Sequence, residues 1–381
     1  MKQSSRTCVW TFVLLVSASW TASAGSPAQA QAREIVVAQV APFTGPQGPS
    51  GKGIRAGVQL YFDHINATGG INGARIRFIT KDDGYKPEET IRLFKETIAT
   101  ERRVAFIATV GTANVEALTK ERVLVDANIP LIGAVSGASS MVTSPNVFVT
   151  KATHHDEVDK LFTILTTTGV NTVGIVYQDD PFGMDVVVGA EKAAARTGVK
   201  IVVKASYPRN TTNVKAAVDQ VLEADAPLIY LVAITTATIE FIKEYRKRGG
   251  AAQIYGLSVN DGSAIVAKIG PELARGFAYG TVVPPTNARS FAIVREYLDL
   301  ASRSKVQDLG GRSMEGFISA KVLVHALRKA KTPTPAALIQ ALSTTSQLNL
   351  GNYMIDFNDK GHTGSRYVDF AILDSKGRAI Q

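Results

Sequence analysis

One rhythm governs this chain: a short β-branched run followed by a helix-like stretch, stated twice over. The runs open near residues 34, 75, 104 and 130, then again near 172, 199, 227 and 253. In the stretches between them apolar residues recur every three or four positions, the helical period. Strands that alternate with helices build parallel sheets, since parallel neighbours need a crossover long enough to hold a helix. Such sheets leave their ligand crevice outside the carboxyl ends of the strands. The expected fold class is therefore α/β, with two Rossmann-like lobes facing each other across a cleft.

The N-terminus bears on where those lobes work. Lys2 and Arg6 form a basic start, Val9 to Ala18 is largely apolar, and Ala22-Ser23-Ala24 has the small-residue form of a cleavage site. This is a secretory signal layout, predicted over residues 1–24. Cleavage after Ala30 or Ala32 fits the small-residue rule equally well. The apolar run is shorter than the roughly 20 residues that cross a bilayer. Cys8 is the single cysteine and lies inside the segment to be removed, ahead of the apolar run. It is misplaced for a lipid-carrying cysteine, and the mature chain has no disulfide and no thiol chemistry. The expected location is the periplasm, as a free and monomeric protein.

Removal of the signal leaves 357 residues, beyond the size of about 250–300 at which single cores stop growing. It also takes Lys2 and Arg6, lowering the formal charge from +9 to +7. The densest basic clusters, Arg102-Arg103 and Arg246-Lys247-Arg248, fall near predicted helix ends, where cations complement the dipole. No nucleic-acid motif accompanies them, so a nucleic-acid partner is not expected.

Along the chain, Glu34–Ala41 reads as a strand and residues 53–66 as a helix. Strands follow at 75–81, 104–110 and 130–135, with Pro87 opening one helix and another spanning about 114–127. The rhythm breaks between Ser136 and Thr153, the first expected crossing between lobes. The second set places strands at 172–177, 199–206, 227–233, 253–258 and 276–283. Pro284-Pro285 marks a second crossing. Helices are expected at about 288–303, 312–330 and 334–343, then strands at 353–357 and 367–373 around an Asn358–Gly361 turn. These limits assign residues 33–153 and 284–350 to lobe 1, and 154–283 and 351–381 to lobe 2.

Enzyme signatures come close and fail. In Gly48-Pro49-Ser50-Gly51-Lys52-Gly53 a phosphate loop lacks its first glycine, replaced by Pro46, and its Mg-binding hydroxyl, replaced by Gly53. The glycines here have the wrong spacing for a dinucleotide turn. No G-x-S-x-G elbow or H-E-x-x-H helix occurs. His154 and His155 are adjacent, so their side chains project in different directions. Nothing assembles a nucleophile, a base and an orienter. Neither catalysis, a cofactor nor a metal is expected.

What the strand ends do carry is Gly, Thr, Ser and Asn just ahead of helices. Val110-Gly111-Thr112-Ala113-Asn114 follows the third strand and Gly133–Ala138 the fourth. Helix-start N–H groups and small hydroxyls favour an anion such as a carboxylate, and glycine lets it approach the backbone. Plain helix capping by Thr112 or Asn114 is the simpler reading of either residue alone. In the second set, Phe182 stands at a helix mouth, where it either covers a ligand or staples its own helix. Thr235-Thr236 and Ser258–Asp261 close the matching strand ends.

These residues carry a resemblance. Phe43-Thr44-Gly45-Pro46, Ile65–Gly73 with its I-N-x-x-G-G-I-x-G order, Asp82-Asp83 before Pro87, Gly133–Gly137, Asp179–Gly183 and Tyr207–Thr212 resemble, in order, the periplasmic leucine/isoleucine/valine-binding protein family. These are the receptors of branched-chain amino-acid ABC transporters, and the match runs from about residue 34 to the C-terminus. The resemblance implies a type I periplasmic-binding-protein fold, with a three-strand hinge between the lobes and ligand enclosed as they close. It implies ligand-carboxylate contacts from Thr112 and Asn114 and from the backbone around Ala134, Ser136 and Gly137. His154, Phe182 and Thr235 would contact the remainder from the other lobe, with Gln47 to Ser50 at the rim. The partners implied are a small-molecule ligand, an amino acid or other carboxylate, and membrane permease subunits.

One departure stands out. Where amino-acid members usually place an acidic residue for the ligand's ammonium, this chain has Ser258, with Asp261 three residues on, and Ile234 replaces a frequent tyrosine. A buried ammonium without a carboxylate is costly. Either Asp261, Asp180 or Asp156 substitutes, or the ligand lacks an amine. A sensor that presents its closed form to a membrane signalling receptor would use the same clamp.

Overall fold

The opening strand, β1 (Glu34–Ala41), is buried at every position but its first, as a strand covered by helices on both faces must be. It begins the fold in a computed structural model that describes residues 34–330, 332–358 and 363–381, with residues 1, 7 and 8. Residues 1–32 separate as a unit from residues 33–381, which hold everything below. The predicted signal falls almost wholly outside the described residues, as do residues 359–361 of the predicted turn.

The first sheet takes β1, β2 (Arg75–Asp82), β3 (Arg103–Ile107), β4 (Leu131–Ile132) and β5 (Val147–Phe148). Its order is β2-β1-β3-β4-β5, and every pairing is parallel. Between these strands run α1 (Gly48–Ala67), α2 (Pro87–Thr100), α3 (Thr112–Lys120), α4 (Val123–Asp126) and α5 (Ser139–Val142). The second half supplies α6 (His154–Thr167), β6 (Thr172–Asp179), α7 (Pro181–Thr197), β7 (Lys200–Pro208) and α8 (Lys215–Ala224). It continues with β8 (Leu228–Val232), α9 (Thr235–Lys247), β9 (Gln253–Gly256), α10 (Gly262–Ala274) and β10 (Ala278–Thr281). The chain then returns with α11 (Ala292–Arg303), α12 (Ser313–Lys329), α13 (Pro335–Ser343), β11 (Leu348–Asn349) and β12 (Met354–Ile355). It ends in β13 (Asp369–Leu373) and β14 (Ala379–Ile380). The second sheet has the order β14-β13-β10-β9-β8-β6-β7, parallel from β10 to β7 and antiparallel at β13 and β14. Two α/β lobes result, as the doubled rhythm requires.

Helix starts follow local chemistry. Pro87 and Pro181 stand in the first turns of α2 and α7, where a missing N–H costs nothing. Thr153 and Asp156 form a reciprocal capping box on α6. The helix α1 begins at Gly48, five residues before the predicted start, because the glycines that suggested a loop serve packing instead. A Cβ on Gly57 would sit 1.8 Å from the Ser313 carbonyl oxygen, and one on Gly316 only 1.9 Å from that of Ile54. The helices α1 and α12 thus touch backbone to backbone.

Several predicted elements are shorter. The fourth strand stops at Ile132, where Gly133 turns the backbone at φ +64°. The predicted helix 114–127 splits into α3 and α4 at Arg122, which is left-handed at φ +54°. Strand 353–357 shrinks to β12 and pairs with β11. Tyr353, Ile355 and Phe357 lie in the first lobe's core, whereas the sequence assigned residues from 351 onward to lobe 2. We therefore place the third crossing after Thr363, whose bridge to Val149 belongs to the first lobe. The Tyr353 hydroxyl lies 2.8 Å from the carbonyl of Thr150 and 3.0 Å from that of Val282, joining the first two crossings.

Candidate functional site

Between the carboxyl ends of the two sheets lies a small crevice of about 20 Å³, with Tyr85, Gly111, Thr112 and Ser136 on one side and His154, Phe182, Ile234 and Val259 on the other. Gln47 and Arg312 complete its wall. The first wall is built at α3. Gly111 caps this helix with φ +108° and has no side chain to occupy the helix mouth. Any Cβ there would meet the Tyr85 ring at 2.5 Å. The first N–H groups of α3 have no intrahelical partners. Beside them Thr112 Oγ1 lies 2.8 Å from Ser136 Oγ, and Ser136 Oγ also accepts from the backbone N–H of Ala138. Both hydroxyl side chains are buried. Hydroxyls beside a positive helix-end dipole are chemistry suited to an anion.

The opposite wall starts at α6. Gly137 N–H donates to His154 Nε2 at 3.1 Å, so His154 presents its other nitrogen, Nδ1, to Asp185 Oδ2 at 3.3 Å. A Cβ on Gly137 would fall 2.7 Å from the His154 ring, so glycine is what allows this approach. Burial pushes the Asp185 carboxyl up, but hydrogen bonds from His154, His155 and Ser139 outweigh it and hold the group well below the usual carboxylate range. Phe182 stands edge-on to His154 with ring centroids 5.2 Å apart. It belongs at once to the core of its lobe and to the cavity wall.

Other predicted residues do not reach the cavity. Asn114 turns into the protein: its Nδ2 donates to Thr90 Oγ1 at 2.7 Å and its Oδ1 accepts from Arg209. Ala134 is buried in the core beneath. Thr235 Oγ1 accepts from Asp261 N–H and donates to the Val259 carbonyl, bracing that loop. Ser258 binds Glu157 through both its backbone N–H and its hydroxyl, each at 2.8 Å. Asp261 caps α10 by accepting from Ala264 N–H. Ser258 and Asp261 line a neighbouring cleft of about 220 Å³, which Arg312 separates from the cavity. Asp156, a suggested substitute for the missing acid, is spent on the α6 cap. Asp180 caps α7 and pairs with Arg209.

Three residues escaped the sequence reading. Arg312 lies at the N-cap of α12 and is only 6% exposed. A cation there opposes the helix dipole, a signal visible in the sequence. Tyr85 has φ +65°, unusual for a bulky residue. Arg209 reaches across the lobes. Its Nε donates to Asp180, its two terminal nitrogens donate to Tyr85 O and Asn114 Oδ1, and its guanidinium lies 3.9 Å over the Tyr85 ring. Further bonds span the same gap, from Ser139 to Asp185 and from Thr236 to the Pro46 carbonyl.

The chain is similar to known proteins over most of its length. A family model described as periplasmic binding protein matches residues 34–378. A Leu/Ile/Val-binding protein homolog 7 of Brucella suis is 23% identical over 349 residues, covering 86% of this chain and 85% of the relative. Among solved structures, a substrate-binding periplasmic protein from Ralstonia solanacearum superposes with TM-score 0.88 at 38% identity, over 91% of this chain and 99% of that one. A branched chain amino acid ABC transporter structure from Thermus thermophilus with bound valine gives TM-score 0.80 at 20% identity, over 91% and 95%.

Proposed function

Because the chain belongs to the periplasmic binding protein family, and is thus a binding protein rather than an enzyme, we propose that it is the solute receptor of an ABC transporter. It takes a small carboxylate into the cavity between its lobes and delivers it to a membrane permease. Export by a cleaved signal within residues 1–32 belongs to this reading. No helix among the described residues is long and apolar enough to cross a membrane.

The observation that supports it is the buried Thr112–Ser136 hydroxyl pair at the bare mouth of α3, walled in by His154 and Phe182 from the other lobe. Ligand would land on the first lobe, and rotation about the crossings would bring the second lobe down and expel water. Micromolar capture requires about −8 kcal/mol. A few charge-assisted hydrogen bonds, each worth about 1.5–3 kcal/mol, supply it even after the cost of ordering the lobes.

A dye-based thermal-shift screen of amino acids and aliphatic or aromatic acids tests this. A dye is needed because Trp10 and Trp20, the two tryptophans, lie in the predicted signal. A ligand at about 100 times its dissociation constant stabilises by about 2.7 kcal/mol. Thr112→Ala and Ser136→Ala should each weaken the best ligand by roughly tenfold or more. Unchanged affinity in both would place the carboxylate elsewhere.

A further inference from the structure

We infer that this cavity selects a small carboxylate that carries no ammonium group, with Arg312 donating to it; the inference rests on the receptor reading above. A free amino acid brings a cation as well as an anion, and a buried ammonium needs an acceptor of opposite charge. Among the described residues that line the cavity there is no aspartate and no glutamate. The one permanent cation among those lining side chains is Arg312, while His154 accepts from Gly137 N–H through Nε2.

Carboxylates just outside the wall are already engaged. Asp180 accepts from Arg209, Gln178 and Gly183 N–H. Asp83 accepts from Thr90 and from Tyr85 N–H. Asp185 holds His154 and Ser139. Glu157 is bound by Ser258, and Asp261 caps α10 in the neighbouring cleft. Moving Asp83, Asp180 or Glu157 to meet an ammonium would leave a buried partner unsatisfied, and that loss is comparable to what the new ion pair would return.

Arg312 points the same way. Its side chain is almost wholly buried, and its Nε has no hydrogen-bond partner in the protein. One terminal nitrogen, Nη1, reaches the Ser258 carbonyl at 2.5 Å and Glu315 at 2.6 Å. Glu315 holds Lys151 through its other oxygen at 2.9 Å, so two buried cations share one carboxylate. The nearby Glu157 carboxyl is already engaged by the Ser258 N–H and hydroxyl. A buried donor left over on a residue that lines the cavity calls for an acceptor, and an acid or 2-oxo acid brings oxygens without a competing cation.

Calorimetric titration of the whole protein with matched skeletons decides the matter. The first set is isocaproate, ketoisocaproate and leucine; the second is hydrocinnamate, phenylpyruvate and phenylalanine. The acids should bind on the order of 100-fold more tightly than the amino acid of the same skeleton. Arg312→Gln should weaken the acids by roughly tenfold and narrow the gap to the amino acids. Arg312→Lys, which keeps the charge but loses the Nε donor, should keep rejecting the amines. Leucine or phenylalanine binding as tightly as its acid overturns the inference and leaves the receptor reading standing. Binding of neither skeleton in any form overturns carboxylate capture itself. The wild-type ratios decide even where a variant fails to fold.

Discussion

At the residue scale, the seat depends on positions where the side chain is absent or turned as much as on those that bond. Gly111 combines φ +108° with a 2.5 Å approach to Tyr85. Gly111→Ala should therefore cost about 1–3 kcal/mol in urea unfolding and weaken ligand binding as well. Titration gives a second handle. Burial pushes the Asp83 carboxyl up to about 6, against hydrogen bonds from Thr90 and the Tyr85 N–H. The folded state thus holds this proton more tightly than the unfolded chain, whose aspartate titrates near about 3.9. Its contribution destabilises above about pH 6 and is relieved as pH falls toward about 4, by on the order of 2 kcal/mol. Asp83→Asn should remove that rise from the stability–pH curve. Asp185 acts in the opposite sense: its carboxyl is held low, so its stabilisation is present above about pH 4 and is lost below. Little of this was legible in the sequence. Thr112, Ser136, His154 and Phe182 were named from strand-end position and resemblance and do meet around one cavity. Asn114 was named on the same grounds, yet its place on the helix turns its amide toward Thr90 and Arg209.

At the scale of elements, two devices carry weight. The backbone contact of α1 with α12 through Gly57 and Gly316 leaves no room for a methyl. Gly57→Ala should force the helices apart and destabilise by about 1–3 kcal/mol, read as a lower urea midpoint. Arg209, at the end of β7, grips Tyr85 and Asn114 in the facing lobe. Arg209→Ala should speed ligand release in stopped-flow and lower affinity by roughly tenfold, and lysine should not restore it, because one ammonium cannot reproduce a planar fork. Element type was readable because short β-branched runs differ plainly from stretches of helical period. The ends were not. Left-handed turns at Gly133 and Arg122 cut β4 and the predicted helix 114–127 short, and at the early start of α1 Gly51 lies against the Pro42 carbonyl with no room for a Cβ.

At the scale of the whole molecule, the protein is a pair of α/β lobes whose crossings are tied by Tyr353 and whose carboxyl ends flank the proposed anion seat. The doubled rhythm made the two sheets legible, because parallel strands leave few other arrangements. The third crossing was less legible: β12 is only two residues long, and only packing places Tyr353 in the first core. The most direct test is a crystal structure of the protein with its tightest-binding carboxylate. Carboxylate oxygens should then lie within hydrogen-bond reach of Thr112 and Ser136 at the mouth of α3, with His154 and Phe182 closed over the ligand. A ligand seated instead in the outer cleft beside Tyr279 and Asp261, with the α3 mouth still bare, would contradict it.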